Sequence, residues 1–432
     1  MTQADDEQGR DVLVLGADLA GRGPADLLIR DGSFADPADA RPDADRVDAA
    51  GLVALPGLVD LHTHLREPGR EDAETVETGT RAAARGGYTA VLAMANTNPV
   101  TDTAEAAEHL LGVASRVGSA QVVPVGAVSK GLEGEELAEL GLMARSAART
   151  RVFSDDGHCV ADARLMRRAL EYVRAFDGVV AQHAQDPRLA GRDACCAEGE
   201  LSGRLGLPGW PAVAEAGIVA RDVQLAELTR SRLHVCHVST AETVDVLRWA
   251  KQRGVEVTAE VTPHHLLLTV DELTGYDPTF KVNPPLRSGE DVAALRDALS
   301  DGTIDAVGTD HAPHARHDKE HAFVDAAFGM LGLETALAVV VETMVRPGAL
   351  GWGDVATRMS SVPAHIARLP GQGRPLRVGE PANLVLVDPE RRSVVDRDAS
   401  LSLSRNNPWH GRDLPDPMVA TWWGGRRTFT RS

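Results

Sequence analysis

The stretch Gly57-Leu58-Val59-Asp60-Leu61-His62-Thr63-His64-Leu65-Arg66-Glu67-Pro68-Gly69 reads as a short buried strand that runs into a polar cluster. Side chains alternate along a strand, so His62 and His64 share one face while Leu61 and Leu65 take the other. Two imidazoles so placed can share a metal ion. Arg66, at or just past the strand end, can hold an anionic group. A His-x-His pair alone is weak, since two hydrogen-bonded histidines at a strand terminus would look the same. Its meaning depends on whether the rest of the chain supplies the missing ligands.

Outward from this strand the pattern becomes strand, loop, helix, repeated. The expected strands are 57–62, 88–95, 121–128, 151–153, 179–183, 233–238, 255–261 and 304–308. Apolar residues at helical spacing mark 74–85, 103–116, 135–148, 161–175, 212–229 and 241–252 between them. Further helical text follows at 328–345 and 352–368. Eight alternations point to a (β/α)8 TIM-type barrel of the α/β class, with its active site at the carboxyl ends of the strands. Periodicity alone also allows an open doubly wound sheet. Short β-like runs before residue 55, and again around Leu384-Val385-Leu386-Val387 and Thr421-Trp422-Trp423, are separated by Gly, Pro and Asp turns. The expectation is a small β-sandwich domain built by both termini (1–55 with 372–432) beside a barrel domain at 56–371.

A chain of 432 residues has room for both units. Its formal net charge of -18 repels nucleic acid and anionic membrane surfaces, so neither is expected as a partner. Cys159, Cys195, Cys196 and Cys236 form no CxxC pair, which suits a reducing cytoplasm. Met1 to Asp11 lacks the basic and apolar regions of a signal peptide, and no apolar run reaches the roughly 18 residues that a membrane helix needs.

A barrel should gather the polar residues at its strand ends into one set. His62 and His64 end the first strand, Asp155-Asp156 the fourth, His183 the fifth, His237 the sixth and Asp310 the eighth. Histidines with carboxylates suit a zinc ion or a similar borderline metal, and this set is large enough for two ions. Alternation puts His237 with Val235 on one face and turns His234 and Cys236 toward the helices. His311 is turned aside as a neighbour of the ligands, and His264-His265, after the seventh strand, are the best rival ligands. Two-metal barrel hydrolases often bridge their ions with a carboxylated lysine on strand four. No lysine lies between Lys130 and Lys251, so here Asp155 or Asp156 would have to bridge, and spacing leaves that choice open.

Together, His62-x-His64-Leu65-Arg66, Asn96-Thr97-Asn98-Pro99, Phe280-Lys281-Val282-Asn283-Pro284-Pro285-Leu286-Arg287 and Gly308-Thr309-Asp310-His311-Ala312-Pro313-His314-x4-Lys319 resemble the dihydroorotases, in particular the bacterial type I group of the amidohydrolase superfamily. The last stretch is the most specific, and the resemblance runs from about Asp11 to Trp423. It implies that His62, His64, His183, His237 and Asp310 ligate one or two zinc ions, with Asp156, the second Asp of Asp-Asp-Gly, bridging them. It also implies substrate contacts from His64, Arg66, Asn96, Asn283, His314 and the backbone of Phe328-Gly329. Gln185 departs from the Glu more usual after the strand-five histidine.

The implied activity is reversible hydrolysis of the cyclic amide of dihydroorotate to N-carbamoyl-L-aspartate, a step of pyrimidine biosynthesis, with Asp310 as the proton carrier. The resemblance further implies a homo-oligomer, a dimer, with aspartate transcarbamoylase as an occasional partner. A hydantoinase or allantoinase, or a non-catalytic barrel used as a scaffold, are the competing readings. The charged segment 315–321 could be a lid or simply a solvated loop.

Overall fold

The computed structural model describes residues 10–431; Met1–Gly9, most of the segment compared above with a signal peptide, lies outside the described residues. Eight parallel strands run in order at Leu58–Thr63, Tyr88–Ala93, Gln121–Pro124, Val152–Phe153, Val179–Gln182, Arg232–Val235, Val257–Val261 and Ala306–Val307. The first three pair side by side as one sheet and the other five as a second. Isolated parallel bridges at Gly126↔Phe153 and Thr63↔His311 link these sheets at both edges.

Helices between the strands start where the sequence offers a cap. Thr75, Thr103, Asp162, Thr240 and Ser288 each accept a backbone N–H from the residue three positions on. The helix expected at 135–148 shrinks to Leu140–Arg145, because Gly131 and Gly134 keep the preceding chain in turns at positive φ. The helix expected from 328 begins at Ala336 instead. Helix Gly289–Asp301 was not among the expected helices, although its Ser288/Asp291 capping pair marks its start in the sequence.

Two apolar layers hold this unit together. Outside the strands, Val91, Val180, Leu233 and Val235 pack with Leu110, Met166, Leu170, Val223 and Leu247 of the helices. Inside, Leu61, Leu92, Met94, Val125, Val152, Val179, Ala181, Cys236 and Ala306 form a second cluster, closed by Ile366 and Ala367. Two expectations from alternation fail here. Leu61 belongs to the inner cluster along with the inward-facing His62, because the register slips by one residue between Asp60↔Val91 and Thr63↔Ala93. His234 and Cys236 also face inward, not toward the helices, since Leu233 and Val235 are the ones in the outer layer.

Strands from both ends of the described chain enter one eight-stranded sheet. The join is antiparallel, with Leu384–Val387 lying on Val53–Pro56. Its core holds Val14, Leu27, Ile29 and Phe34 from the start of the chain and Leu384, Leu386, Ala420 and Trp422 from the end. No described helix is long and apolar enough to cross a membrane.

Trp422 is 1% exposed in that core. Trp422→Ala is expected to lower the unfolding free energy by about 3–5 kcal/mol, read as a fall in the denaturation midpoint.

Candidate metal centre and substrate pocket

Six side chains from five strand ends meet around one carboxylate. Asp156 Oδ1 lies 3.2 Å from His62 Nε2 and 3.3 Å from both His183 Nδ1 and His237 Nε2, while its Oδ2 lies 3.4 Å from His64 Nε2. Asp310 Oδ1 stands 3.1 Å from His64 Nε2 and 3.6 Å from His62 Nε2. His62, His64 and Asp156 form one group with atoms close enough to share an ion, and Asp156, His183 and His237 form another. Asp156 is common to both. Asp155 points elsewhere: it accepts from the backbone N–H of Val128 and Ser129 and from the Ser129 hydroxyl.

The set fits a metal. All six are buried, from 0% exposure at His62 to 5% at Asp310. His183 Nδ1 and His237 Nε2 stand 2.9 Å apart, and His62 Nε2 is a buried nitrogen with no hydrogen-bond partner. Imidazole lone pairs converging on a carboxylate in a dry pocket leave donors and acceptors poorly matched unless a cation lies among them.

The backbone takes unusual conformations to aim these groups. His237 has φ +31° and Asp310 φ +46°, so both leave the alternation of the strands before them. That turn, rather than strand alternation, brings His237 to the pocket. Arg66 has φ +59°. Asp60 ties this rim together by accepting from the Thr309 hydroxyl, Thr309 N and His62 N.

Three of the four rings are also held from behind. His62 Nδ1 lies 2.9 Å from Glu260 Oε1, and His64 Nδ1 lies 2.9 Å from Asn96 Oδ1. His183 Nε2 faces Gln185 Oε1 at 3.0 Å and Asn283 Nδ2 at 3.3 Å, and Asn283 donates to Gln185 as well. Gln185, noted as a departure, therefore fixes the orientation of the His183 ring. The rival pair lies outside the cluster. His265 contacts Thr262 Oγ1 and Pro285 O, and the His264 ring packs on it. His311 faces Glu74, and only its carbonyl, which accepts from His64 N, meets a ligand residue.

Arg66, His314 and Gly329 line the neighbouring wall. Arg66 Nε donates to Pro313 O and Nη2 lies 3.3 Å from His314 Nε2. Arg66 forms no ion pair with the nearby Glu67 or Asp72: Glu67 accepts from Val76 N, and Asp72 pairs with Arg70. Gly329, at φ +141°, could not carry a side chain, because a Cβ would sit 2.7 Å from Ala312 Cβ and 2.8 Å from His314 Nε2.

Sequence reasoning gave no role to Lys281 and Lys319. Lys319 Nζ donates to the carbonyls of Lys281, Ala327 and Gly329, and Lys281 Nζ donates to Val324 O and lies 4.4 Å from the Phe328 ring centre. These cations pin segment 324–329. The segment read as lid or loop is thus anchored at Lys319, with Asp318 bound to Arg70.

Charges follow burial and neighbours. Burial opposes the negative charge of Asp156, yet the His62 charge and the hydrogen bonds with His183, His237 and His62 hold its carboxyl well below the usual range. Burial likewise opposes charge on His62, but Asp156 outweighs it and raises that ring well above its ordinary value. His64 is lowered by burial and by the Arg66 charge. Burial and Arg66 push His314 down to about 2, and burial with Lys281 pushes Lys319 down to about 7.

A family model described as "Dihydro-orotase-like" matches residues 51–243. The protein named dihydroorotase in Streptomyces coelicolor is 58% identical, over 96% of this chain and 98% of that one. Those of Leifsonia xyli and Mycobacterium tuberculosis are 57% and 55% identical, each over 96% of this chain and covering 95% and 98% of theirs. Among solved structures, the L-hydantoinase (dihydropyrimidinase) of Arthrobacter aurescens superposes with a TM-score of 0.85 at 25% identity, over 97% of this chain and 96% of that one. The dihydropyrimidinase of Brevibacillus agri gives 0.84 at 22% identity, over 96% and 94%, and speaks for the fold alone. Near full-length identity above one half, together with the grouping of His62, His64, Asp156, His183, His237 and Asp310, places this chain in the dihydroorotase family.

Proposed function

We propose that this chain is a zinc-dependent dihydroorotase, which opens dihydroorotate to N-carbamoyl-L-aspartate and closes it again, at the pocket around Asp156. The observation that carries the reading is the sharing of Asp156 between two groups of imidazoles inside a chain of this family. The eight strands are read as one closed barrel, supported by the bridges at both sheet edges. The terminal sheet is read as a sandwich, supported by the Ser33↔Pro381 bridge and a core shared by strands far apart in the sheet. Domain limits of 56–371 and 1–55 with 372–432 follow.

His62 and His64 would hold one ion, His183 and His237 a second, with Asp156 between them and Asp310 beside the first. Such ions, when bound, polarise an amide carbonyl and make water a better nucleophile near neutral pH. The residues do the rest. Asp310, kept ionised despite burial by its hydrogen bond with His64 and by the charges of His62 and His64, accepts the proton of the attacking water. It then returns that proton to the departing ring nitrogen. In ring closure the same carboxylate removes the proton from the carbamoyl nitrogen.

The substrate carboxylate binds Arg66, whose own hydrogen bonds go to a carbonyl and an imidazole rather than to a competing carboxylate. Neutral His314 and Asn96 add hydrogen bonds beside it. Asn283 and the Phe328-Gly329 backbone, held by the two lysines, complete the wall opposite the ions.

The deciding experiment is turnover of dihydroorotate, hydantoin and allantoin by protein stripped with chelator and then reloaded with zinc. Activity on dihydroorotate that vanishes on stripping and returns with zinc is expected, and a preference for hydantoin would replace this reading. In the same preparations Asp156→Asn is expected to lower the zinc content per chain. Asp155→Asn should keep it, since the amide oxygen can still accept from Val128 N and Ser129 N, and lose only about 1–3 kcal/mol of stability from the Ser129 hydroxyl, whose carboxylate acceptor is gone. Arg66→Met should raise KM for dihydroorotate about tenfold to a hundredfold, the equivalent of about 1.5–3 kcal/mol for a charged hydrogen bond, with a smaller change in kcat.

A further inference from the structure

Glu260 sits on the seventh strand, facing the interior between the parallel strands, with 0% exposure. A carboxylate fully buried beside His62 and Cys236 is costly unless hydrogen bonds satisfy it. Its two oxygens face two rings: Oε1 lies 2.9 Å from His62 Nδ1, and Oε2 lies 3.3 Å from His234 Nε2. His234 Nδ1 in turn lies 2.9 Å from Thr258 Oγ1. A chain of polar groups therefore runs from the pocket through the interior to Thr258, which is only partly buried.

The eighth strand leaves room for it. A Cβ at Gly308 would stand 2.3 Å from Glu260 Oε2 and 2.5 Å from its Cδ. Here φ is not the reason for glycine; the space is taken by the carboxylate. The first residue of Gly308-Thr309-Asp310-His311 thus answers to a side chain on the neighbouring strand.

An imidazole that ligates through Nε2 must carry its proton on Nδ1, and the acceptor behind Nδ1 selects that tautomer. We propose that Glu260 is a positioning residue: it accepts the Nδ1 proton of His62 and so turns the Nε2 lone pair toward Asp156, with Gly308 kept small to admit it. This rests on the metal reading above, and it assigns Glu260 to one ion only. His183, which faces Asp156 through Nδ1, is oriented by Gln185 and Asn283 instead.

The test measures ion binding rather than turnover. Wild type and Glu260→Ala, both stripped and reloaded, are titrated with zinc against a competing chelator. Their cobalt-substituted forms are compared by visible absorption. The expected result is a loss of about 10–100-fold in affinity for one ion of the two, with the other ion and its cobalt bands unchanged. Glu260→Gln, which keeps an acceptor oxygen for Nδ1–H, should recover part of that loss.

Equal affinities in wild type and Glu260→Ala would overturn the assignment while leaving the metal reading intact. So would a parallel weakening of both ions. A wild-type protein that holds no ion would overturn both. Because removing a buried carboxylate can also unfold the chain, the wild-type enzyme gives an independent reading through 15N-labelled histidine: His62 in the zinc form should show the Nδ1–H tautomer, and an Nε2–H tautomer would overturn the proposal. His62, Cys236 and Glu260 also come close enough to hold an ion of their own. A third zinc per chain, removed by Cys236→Ser, would overturn it too.

Discussion

One carboxylate, that of Asp156, organises this molecule. Four imidazole nitrogens stand within 3.4 Å of its oxygens, in a pocket closed to solvent. An isolated charge there would be expelled or neutralised, so it persists only because opposite charge is delivered to it from several directions. Parallel strands solve that problem. Their carboxyl ends open on the same side, and each sends a residue to the centre from a different part of the sequence. Helices caps, outer packing and the terminal sheet then serve to keep those strand ends in place.

Aiming the side chains has a conformational cost. Arg66, His237 and Asp310 all sit at positive φ without being glycine, a state worth of order 1–3 kcal/mol each. Local bonds offset it. Asp60 joins the first and eighth strands through Thr309 and His62 N, and the His311 carbonyl receives His64 N. For Arg66 and Asp310, strain and these bonds lie within a few residues of one another, where the first and eighth strands meet.

That local distortion also explains what could be read from the sequence. Eight strands and most of the helices were legible from periodicity, and His62, His64, His183, His237 and Asp310 stood out as polar residues at strand ends, whereas Asp156 was singled out only by the resemblance. What failed was the assumption of strict alternation. A one-residue slip in register puts Leu61 and His62 on the same side, and His237 reaches the pocket by a backbone turn. Asp155 and Asp156 were indistinguishable because the difference lies in a partner, the loop at Val128 and Ser129, that no spacing rule reveals. Glu260 received no role from the sequence, since its two histidine partners come from other strands.

The wall opposite the ions follows a different logic. Arg66, Lys281 and Lys319 are all largely buried, and their hydrogen bonds go to carbonyl oxygens and an imidazole. Three cations so placed repel one another, and burial already pushes Arg66 down to about 10. In a chain of net charge -18 carboxylates were abundant enough to pair with each of them. Leaving them without such partners holds positive potential inside the pocket while the surface stays acidic. A dianionic ring-opened product gains from that potential on one side and from metal ions on the other, whereas a neutral cyclic amide gains from only one. In the proposed reading, discrimination for an anionic substrate would be set by which cations were left without carboxylate partners, as much as by the residues that would hold the ions.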